Sequence, residues 1–159
     1  MTTTRPATPA DTTALGRLGA QLVAFHHDLD PERFIPSRSG TERGYGSYLK
    51  DELRRQGVVM LVAEEAGEVV GYAYAGLEGH DWMTLRGPAG VIYDLVVNPR
   101  RRGNGIGRKL LDDVVAALSA SGAPRVVLST AARNEGTQRL FASAGFRPTM
   151  IEMSRGSAA

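Results

Sequence analysis

The sequence has no cysteine among its 159 residues. This absence excludes disulfide frameworks, zinc–thiolate sites and cysteine nucleophiles. Long apolar stretches are also missing, since uncharged runs such as residues 58–63 are far shorter than the roughly 20 residues that a membrane helix needs. The first residues carry no hydrophobic signal region. We therefore expect a cytoplasmic protein.

Lysine is scarce, because only Lys50 and Lys109 are lysines among the 19 basic residues. The net charge of +2 is too small to indicate a nucleic-acid-binding protein by itself. The position of the basic residues is more informative than their number. They cluster around one glycine-rich turn, which indicates a local contact with a polyanion; the cluster comprises Arg100, Arg101, Arg102, Arg108 and Lys109.

The length of the chain predicts a single domain over residues 1–159, with an ordered core at about residues 4–155. A helix is expected from Asp11 as N-cap, and a second one over residues 41–56. A further helix should follow the glycine-rich turn, and another should begin at Asn134. The β-rich segments are residues 5–7, 58–63, 69–75, 91–97, 125–129 and 149–153. This alternation predicts an α/β fold with helices on the faces of a mixed sheet.

The glycine-rich loop follows the predicted strand 91–97 and opens the next helix. Gly103, Gly105 and Gly107 allow a tight turn whose N–H groups converge, and the helix N-terminus adds its dipole, so the loop suits phosphate. The P-loop pattern is absent, and the dinucleotide fingerprint fails because Arg108 occupies the place of its third glycine. A plain structural turn remains an alternative. A nucleic-acid contact is another, although aromatic residues do not interleave with the basic ones.

With this loop the chain resembles the GNAT superfamily of acetyl-CoA-dependent N-acetyltransferases. The family signature, Arg/Gln-x-x-Gly-x-Gly/Ala, can be read as Arg100-x-x-Gly103-x-Gly105 or as Arg102-x-x-Gly105-x-Gly107. The order of elements agrees over residues 4–155. The resemblance implies a mixed, mostly antiparallel central sheet of six or seven strands, with about four helices on its faces.

The resemblance also implies where a cofactor would bind. Backbone groups of Leu95, Val96 and Val97 would pair with the pantetheine arm, and an N–H near Val96 or Val97 would polarise the thioester carbonyl. Asn134 and Phe141 would flank the thiol end. The pyrophosphate would be held by a continuous run of residues: Arg102, Gly103, Asn104, Gly105, Ile106, Gly107 and Arg108.

The implied activity is transfer of an acetyl group from acetyl-CoA, the co-substrate, to a primary amine that attacks it directly. The acceptor would be a small molecule or a peptide, and we expect neither a nucleic-acid nor a membrane partner. Dimers are common in the family, so a homodimer is compatible with the resemblance. No spacing of carboxylates and histidines indicates a metal site.

Two residues depart from the family pattern. Phe141 stands where many members carry a tyrosine that protonates the departing thiolate, and Tyr93 stands where many carry a basic glutamate. We therefore hypothesise that Tyr93 or the adjacent Asp94 assists proton transfer. The alternative is a non-catalytic CoA-binding or regulatory module. His26 and His27 are candidates for the acceptor site or for a solvated helix end.

Overall fold

The structure, a computed structural model, describes residues 1–158 and leaves out Ala159, the end of the tail predicted over residues 154–159. Within these residues, five strands form one sheet in the order β1-β2-β3-β4-β5, and only the β4–β5 pair is parallel. The mixed, mostly antiparallel sheet and its helices confirm the predicted class. The strands are β1 (Thr3–Pro6), β2 (Val58–Glu65), β3 (Glu68–Glu78), β4 (Ala89–Val97) and β5 (Val126–Leu128); the helices are α1 (Thr12–Leu29), α2 (Thr41–Glu52), α3 (Ile106–Ala120) and α4 (Glu135–Ser143).

The predicted number of six or seven strands is wrong, because residues 149–153 form no strand. This segment is β-prone, but a strand is stabilised by its ladder partner, and none pairs with it in the described chain. The side chains of Met150, Ile151 and Met153 are exposed. Glu152 instead forms an ion pair with Arg33, beyond the end of α1.

The sheet has an apolar core on each face. Ala73, Ala75 and Ile92 pack against α3 and α4, whereas Val62 and Tyr72 pack against α1 and α2. Side chains of successive strand residues alternate between the faces of the sheet, so each strand contributes side chains to both apolar cores. No helix among residues 1–158 is both long and apolar enough to cross a membrane.

Glycines let α1 and α2 cross at very short distance. A Cβ added to Gly16 would lie 2.3 Å from the carbonyl oxygen of Glu42, and one added to Gly19 would lie 2.3 Å from the Tyr45 ring. Without side chains at these positions, α2 approaches α1 closely enough to lay Tyr45 over the sheet. The consequence for the site is that Tyr45 reaches β4.

An ion pair fastens β1 to the start of α1. Asp11 occupies the N-cap position of α1, as predicted, but its carboxylate accepts hydrogen bonds from the Arg5 guanidinium at 2.9 and 3.0 Å and from the Thr8 N–H at 2.8 Å. The Arg5 hydrogen bonds lower the pKa of the Asp11 carboxyl, against the effect of burial.

Candidate active site

The site begins where β4 and β5 separate. The two strands pair over only three residues each, ending at Ile92 and Leu128, while β4 continues to Val97. A cleft of about 620 Å³ lies along this gap. In the ladder between β3 and β4, Asp94 and Ile92 pair with consecutive residues, so Tyr93 is the extra residue of a β-bulge.

Backbone groups of β4 face this gap. The carbonyl oxygen of Val96 points toward β3, because a Cβ on Gly71 would lie 2.7 Å from it. Peptide groups in a strand alternate in direction, so those of Leu95 and Val97 point away from β3 and toward the gap. In the described chain no strand pairs with them there. They are therefore positioned to bind an extended ligand as a strand would.

The glycine loop closes one end of the cleft. Gly103 and Gly105 have positive φ angles of 82° and 77°, which favour glycine, although an added Cβ would touch nothing within 4 Å. The helix α3 starts at Ile106, so its first N–H groups have no intrahelical acceptor. Arg102 and Arg108 line the same end. This combination of N–H groups, helix dipole and guanidinium groups suits a phosphate.

The opposite walls of the cleft come from α4 and α1. Phe141 packs in the core beneath α4 with 7% of its surface exposed, and its ring also lines the cleft. Asn134 caps α4 by accepting a hydrogen bond from the N–H of Thr137 at 3.2 Å. From α1, Phe25 lies under the Arg102 guanidinium, 4.8 Å from the ring centroid. This cation–π contact joins α1 to the glycine loop.

The structure brings together all the predicted site residues except Asn104. Asn104 is exposed, and its amide donates to the carbonyl oxygen of Arg101 at 3.3 Å. Two unpredicted residues, Leu22 and Phe25, come from α1, where their helical spacing indicated only a core face, whereas His26 of the same helix is one of the two histidines that the sequence offers for the acceptor site. The unpredicted lining residues are Leu22, Phe25, Ile92, Arg101, Leu128, Ser129, Thr130, Gly136, Thr137 and Leu140.

Asp94 is a buried carboxylate at the edge of the cleft, with 8% of its surface exposed. Its Oδ2 accepts hydrogen bonds from the hydroxyls of Tyr45 at 2.6 Å and Tyr72 at 2.8 Å. Burial raises the pKa of the Asp94 carboxyl, while the two hydroxyls and the charge of His26 counteract that rise. Oδ1 has no hydrogen-bond partner among the described residues, yet it is not an occluded atom. It is therefore available to a ligand.

Tyr93 is a weaker candidate for accepting a proton. Its hydroxyl donates a hydrogen bond to Glu78, and its ring lies 4.8 Å from that of Tyr74. Burial and the Glu78 hydrogen bond raise the pKa of the Tyr93 hydroxyl. The hydroxyl therefore keeps its proton at neutral pH. Of the two residues that the sequence indicates, Asp94 has the better geometry for proton transfer.

The fold and the cleft define an α/β protein with a glycine-rich loop beside an unpaired stretch of a central strand. Residues 22–146 match the Acetyltransferase (GNAT) family, and the chain belongs to this family. The resemblance predicted from the glycine loop is confirmed. Members of this family transfer acetyl groups, and they act in general on amine-bearing acceptors.

Individual relatives agree with this assignment. The chain is 33% identical over 149 residues to the mycothiol acetyltransferase of Thermobispora bispora, a match that covers 85% of this chain and 49% of that protein. The chain thus spans about half the length of the curated relatives it matches.

Solved structures share the fold. The BH1408 protein of Bacillus halodurans, crystallised as a tetramutant, superposes with a TM-score of 0.82 at 24% identity, over 97% of this chain and 99% of that one. A predicted acetyltransferase from Clostridium acetobutylicum, described with acetyl-CoA, superposes with a TM-score of 0.70 at 21% identity, over 97% and 96% of the two chains.

Proposed function

We propose that this protein transfers an acetyl group from acetyl-CoA to a primary amine of a small molecule or peptide, by direct attack of the amine. The observation that carries the proposal is the continuity of the cleft. It runs from the glycine loop, past the gap-facing backbone of Leu95 and Val97, to the carboxylate of Asp94. One elongated phosphate-bearing substrate and one amine can therefore meet inside it.

The residues of the cleft fit acetyl-CoA in charge and in shape. The pyrophosphate would accept hydrogen bonds from the start of α3 and from Arg102 and Arg108. The pantetheine arm would add to the gap-facing side of β4 as an extra strand. Because the Val97 N–H faces the gap and the Val96 carbonyl faces β3, Val97 is the better candidate for polarising the thioester carbonyl.

The acceptor amine needs a partner for its positive charge and a path for its proton. Oδ1 of Asp94 is the atom that pairs with the positive charge of the ammonium, since Oδ2 already accepts hydrogen bonds from two hydroxyls. A protonated amine is not a nucleophile, so Asp94 assists the reaction by holding the ammonium where it can be deprotonated. Phe141 has no proton to donate to the departing thiolate, which makes the non-catalytic CoA-binding module the alternative to be tested.

The decisive experiment measures release of free CoA from acetyl-CoA with a panel of chemically diverse amines. An acetyltransferase releases CoA and forms the amide, whereas a binding module is stabilised by acetyl-CoA without releasing CoA. Absence of turnover with every amine, despite binding, would refute the proposal in favour of the module.

The phosphate site is tested with a matched pair of variants. Gly105→Asp places a carboxylate at the proposed pyrophosphate position, so acetyl-CoA should bind at least about tenfold more weakly, or about 1.4 kcal/mol. Gly67→Asp is the control, because Gly67 in the β2–β3 turn has a similar φ of 80° and equally open surroundings. Both variants carry the same backbone strain. Calorimetric titration should show a loss of affinity only for Gly105→Asp, and equal affinities would contradict the assignment.

A further inference from the structure

A second ionisable side chain lines the acceptor end of the cleft, and the proposed function above does not use it. His26 lies near the end of α1, in the same wall as Leu22 and Phe25. Its ring is held edge-on between two phenyl rings, with centroids 5.8 Å from Phe25 and 5.0 Å from Phe34. These contacts fix the orientation of the imidazole.

Hydrogen bonding also fixes the tautomer of His26. Its Nδ1 lies 2.9 Å from the carbonyl oxygen of Leu22, which can only accept. Nδ1 therefore carries a hydrogen, and in the neutral imidazole Nε2 has the free lone pair. Among the described residues, Nε2 has no hydrogen-bond partner and is not an occluded atom. A neutral His26 thus offers a proton acceptor at the cleft.

Asp94 lies close enough to His26 for the charge of the imidazole to affect the titration of the carboxyl. The positive charge of protonated His26 lowers the pKa of the Asp94 carboxyl, which burial raises. Four other ionisable residues line the same cleft: Tyr93 of β4, Arg101 and Arg102 of the glycine loop, and Arg108 of α3. Outside the cleft, Tyr45 donates to Asp94, Arg33 lies over the Phe34 ring beside His26, and His27 and Asp30 follow His26 in the chain.

We propose that Nε2 of His26 accepts the proton that the acceptor ammonium loses before attack, while Asp94 holds the ammonium by its charge. This proposal rests on the proposed function. The ammonium gives one proton to Nε2, and the resulting amine nitrogen bonds to the thioester carbon. The C–S bond then breaks, and the nitrogen loses a second proton, which ends on the thiolate sulfur. The products are an amide, a free thiol and one proton on His26, which is released to water.

His27 provides a matched control on the same helix. Its Nδ1 also donates to a carbonyl oxygen, that of Phe34 at 2.8 Å, and its side chain is half-buried like that of His26. His27 does not line the cleft. Replacing either histidine therefore removes a similar structural contact at the end of α1, whereas only the replacement of His26 removes the proposed proton acceptor.

The test compares His26→Gln with His27→Gln in amine acetylation between about pH 5 and 8, the range in which histidine side chains in general change charge. We expect His26→Gln to lower kcat/KM for the amine by about 10²-fold and to remove the histidine-dependent rise of the rate with pH. Affinity for acetyl-CoA should stay within about twofold, because the phosphate loop is untouched. His27→Gln should keep the wild-type rate and pH profile.

Two further measurements separate proton transfer from a structural role. An aromatic amine is largely neutral at pH 7 and needs no base, so the defect of His26→Gln should shrink to a few-fold with such an acceptor. In the wild-type protein, ring nitrogen NMR should show the hydrogen of the neutral imidazole on Nδ1 and none on Nε2. This measurement does not depend on the folding of any variant.

Three outcomes would overturn the proposal. They are a normal pH profile in His26→Gln, an equal defect with basic and aromatic amines, or an Nε2–H tautomer in the wild-type protein. Each of these can occur while the wild-type protein turns over, in which case acetyl transfer stands and only the role of His26 fails. Acetyl-CoA binding without turnover in the wild-type protein would instead overturn both proposals together.

Discussion

The hydrogen bond from Tyr45 to Asp94 should control how this carboxyl titrates. Tyr45→Phe removes the 2.6 Å bond to Oδ2 and leaves only the 2.8 Å bond from Tyr72. A hydrogen bond to a charged group contributes about 1.5–3 kcal/mol. The charged form of Asp94 should lose a stabilisation of this size in the variant, so the pKa of the Asp94 carboxyl should rise further above its already raised value.

The sign of the stability effect follows from the same shift. A carboxyl whose pKa is higher in the folded than in the unfolded state makes the folded state less stable as the pH rises through the folded-state pKa. The shift is larger in Tyr45→Phe. The stability gap between the variant and the wild-type protein should therefore be smallest in acid, where Asp94 is protonated in both. It should reach its full size above both folded-state pKa values.

Carboxyl carbon NMR measures the pKa directly, and urea unfolding at several pH values measures the gap in the free energy of unfolding. Tyr48→Phe is the control, because the Tyr48 hydroxyl interacts with that of Tyr74 at 3.1 Å and not with Asp94. An Asp94 pKa that stays constant or falls in Tyr45→Phe would refute the reasoning. A stability gap that narrows as the pH rises would refute it too.

Two other changes test the packing that supports the site. Gly16→Ala should destabilise the fold by about 1–3 kcal/mol, because its Cβ would overlap the Glu42 carbonyl, whereas Gly44→Ala in the open part of α2 should stabilise by up to about 1 kcal/mol; equal effects in urea unfolding would contradict the close crossing. Asp11→Asn should cost about 1–2 kcal/mol, because its partner Arg5 is 39% exposed and water replaces part of the pair. The stabilisation by Asp11 is present above the pKa that its carboxyl has in the unfolded chain, about 4, and is lost as the pH falls through the lower pKa of the folded state. If the stability of the wild-type protein falls no more in acid than that of Asp11→Asn, this contribution is ruled out.

The sequence predicts the glycine loop and the strand before it well, because both depend on local chemistry. Gly103 and Gly105 have the positive φ angles that favour glycine, and α3 starts right after them. The single-domain organisation and the roles of the site residues stay predictions. The strand predicted at residues 149–153 is wrong, since the β propensity of a segment does not specify a strand that would pair with it.

Apart from His26, the α1 wall of the cleft could not be predicted by local reasoning. The spacing of Leu22 and Phe25 indicates an apolar helix face, and the same pattern serves a core or a ligand. Which of the two it serves depends on where α1 crosses the sheet. That crossing depends in turn on Gly16 and Gly19, whose bare backbone matters only once a second helix lies against it. Long-range packing of this kind leaves little signal in a single sequence.

Under the proposed function, the peptide groups of Leu95 and Val97, which face the gap beside β4, would make the stability of the protein depend on the concentration of its acetyl donor. A ligand that pairs with them adds to the sheet beside β4 and binds only the folded chain. It therefore stabilises the folded chain by RT ln(1 + [L]/Kd), or about 2.7 kcal/mol at a hundredfold excess of ligand over Kd. Many domains are only about 5–15 kcal/mol more stable than their unfolded chains. The supply of acetyl-CoA would then set how much of this protein escapes unfolding and proteolysis, as well as how fast it works.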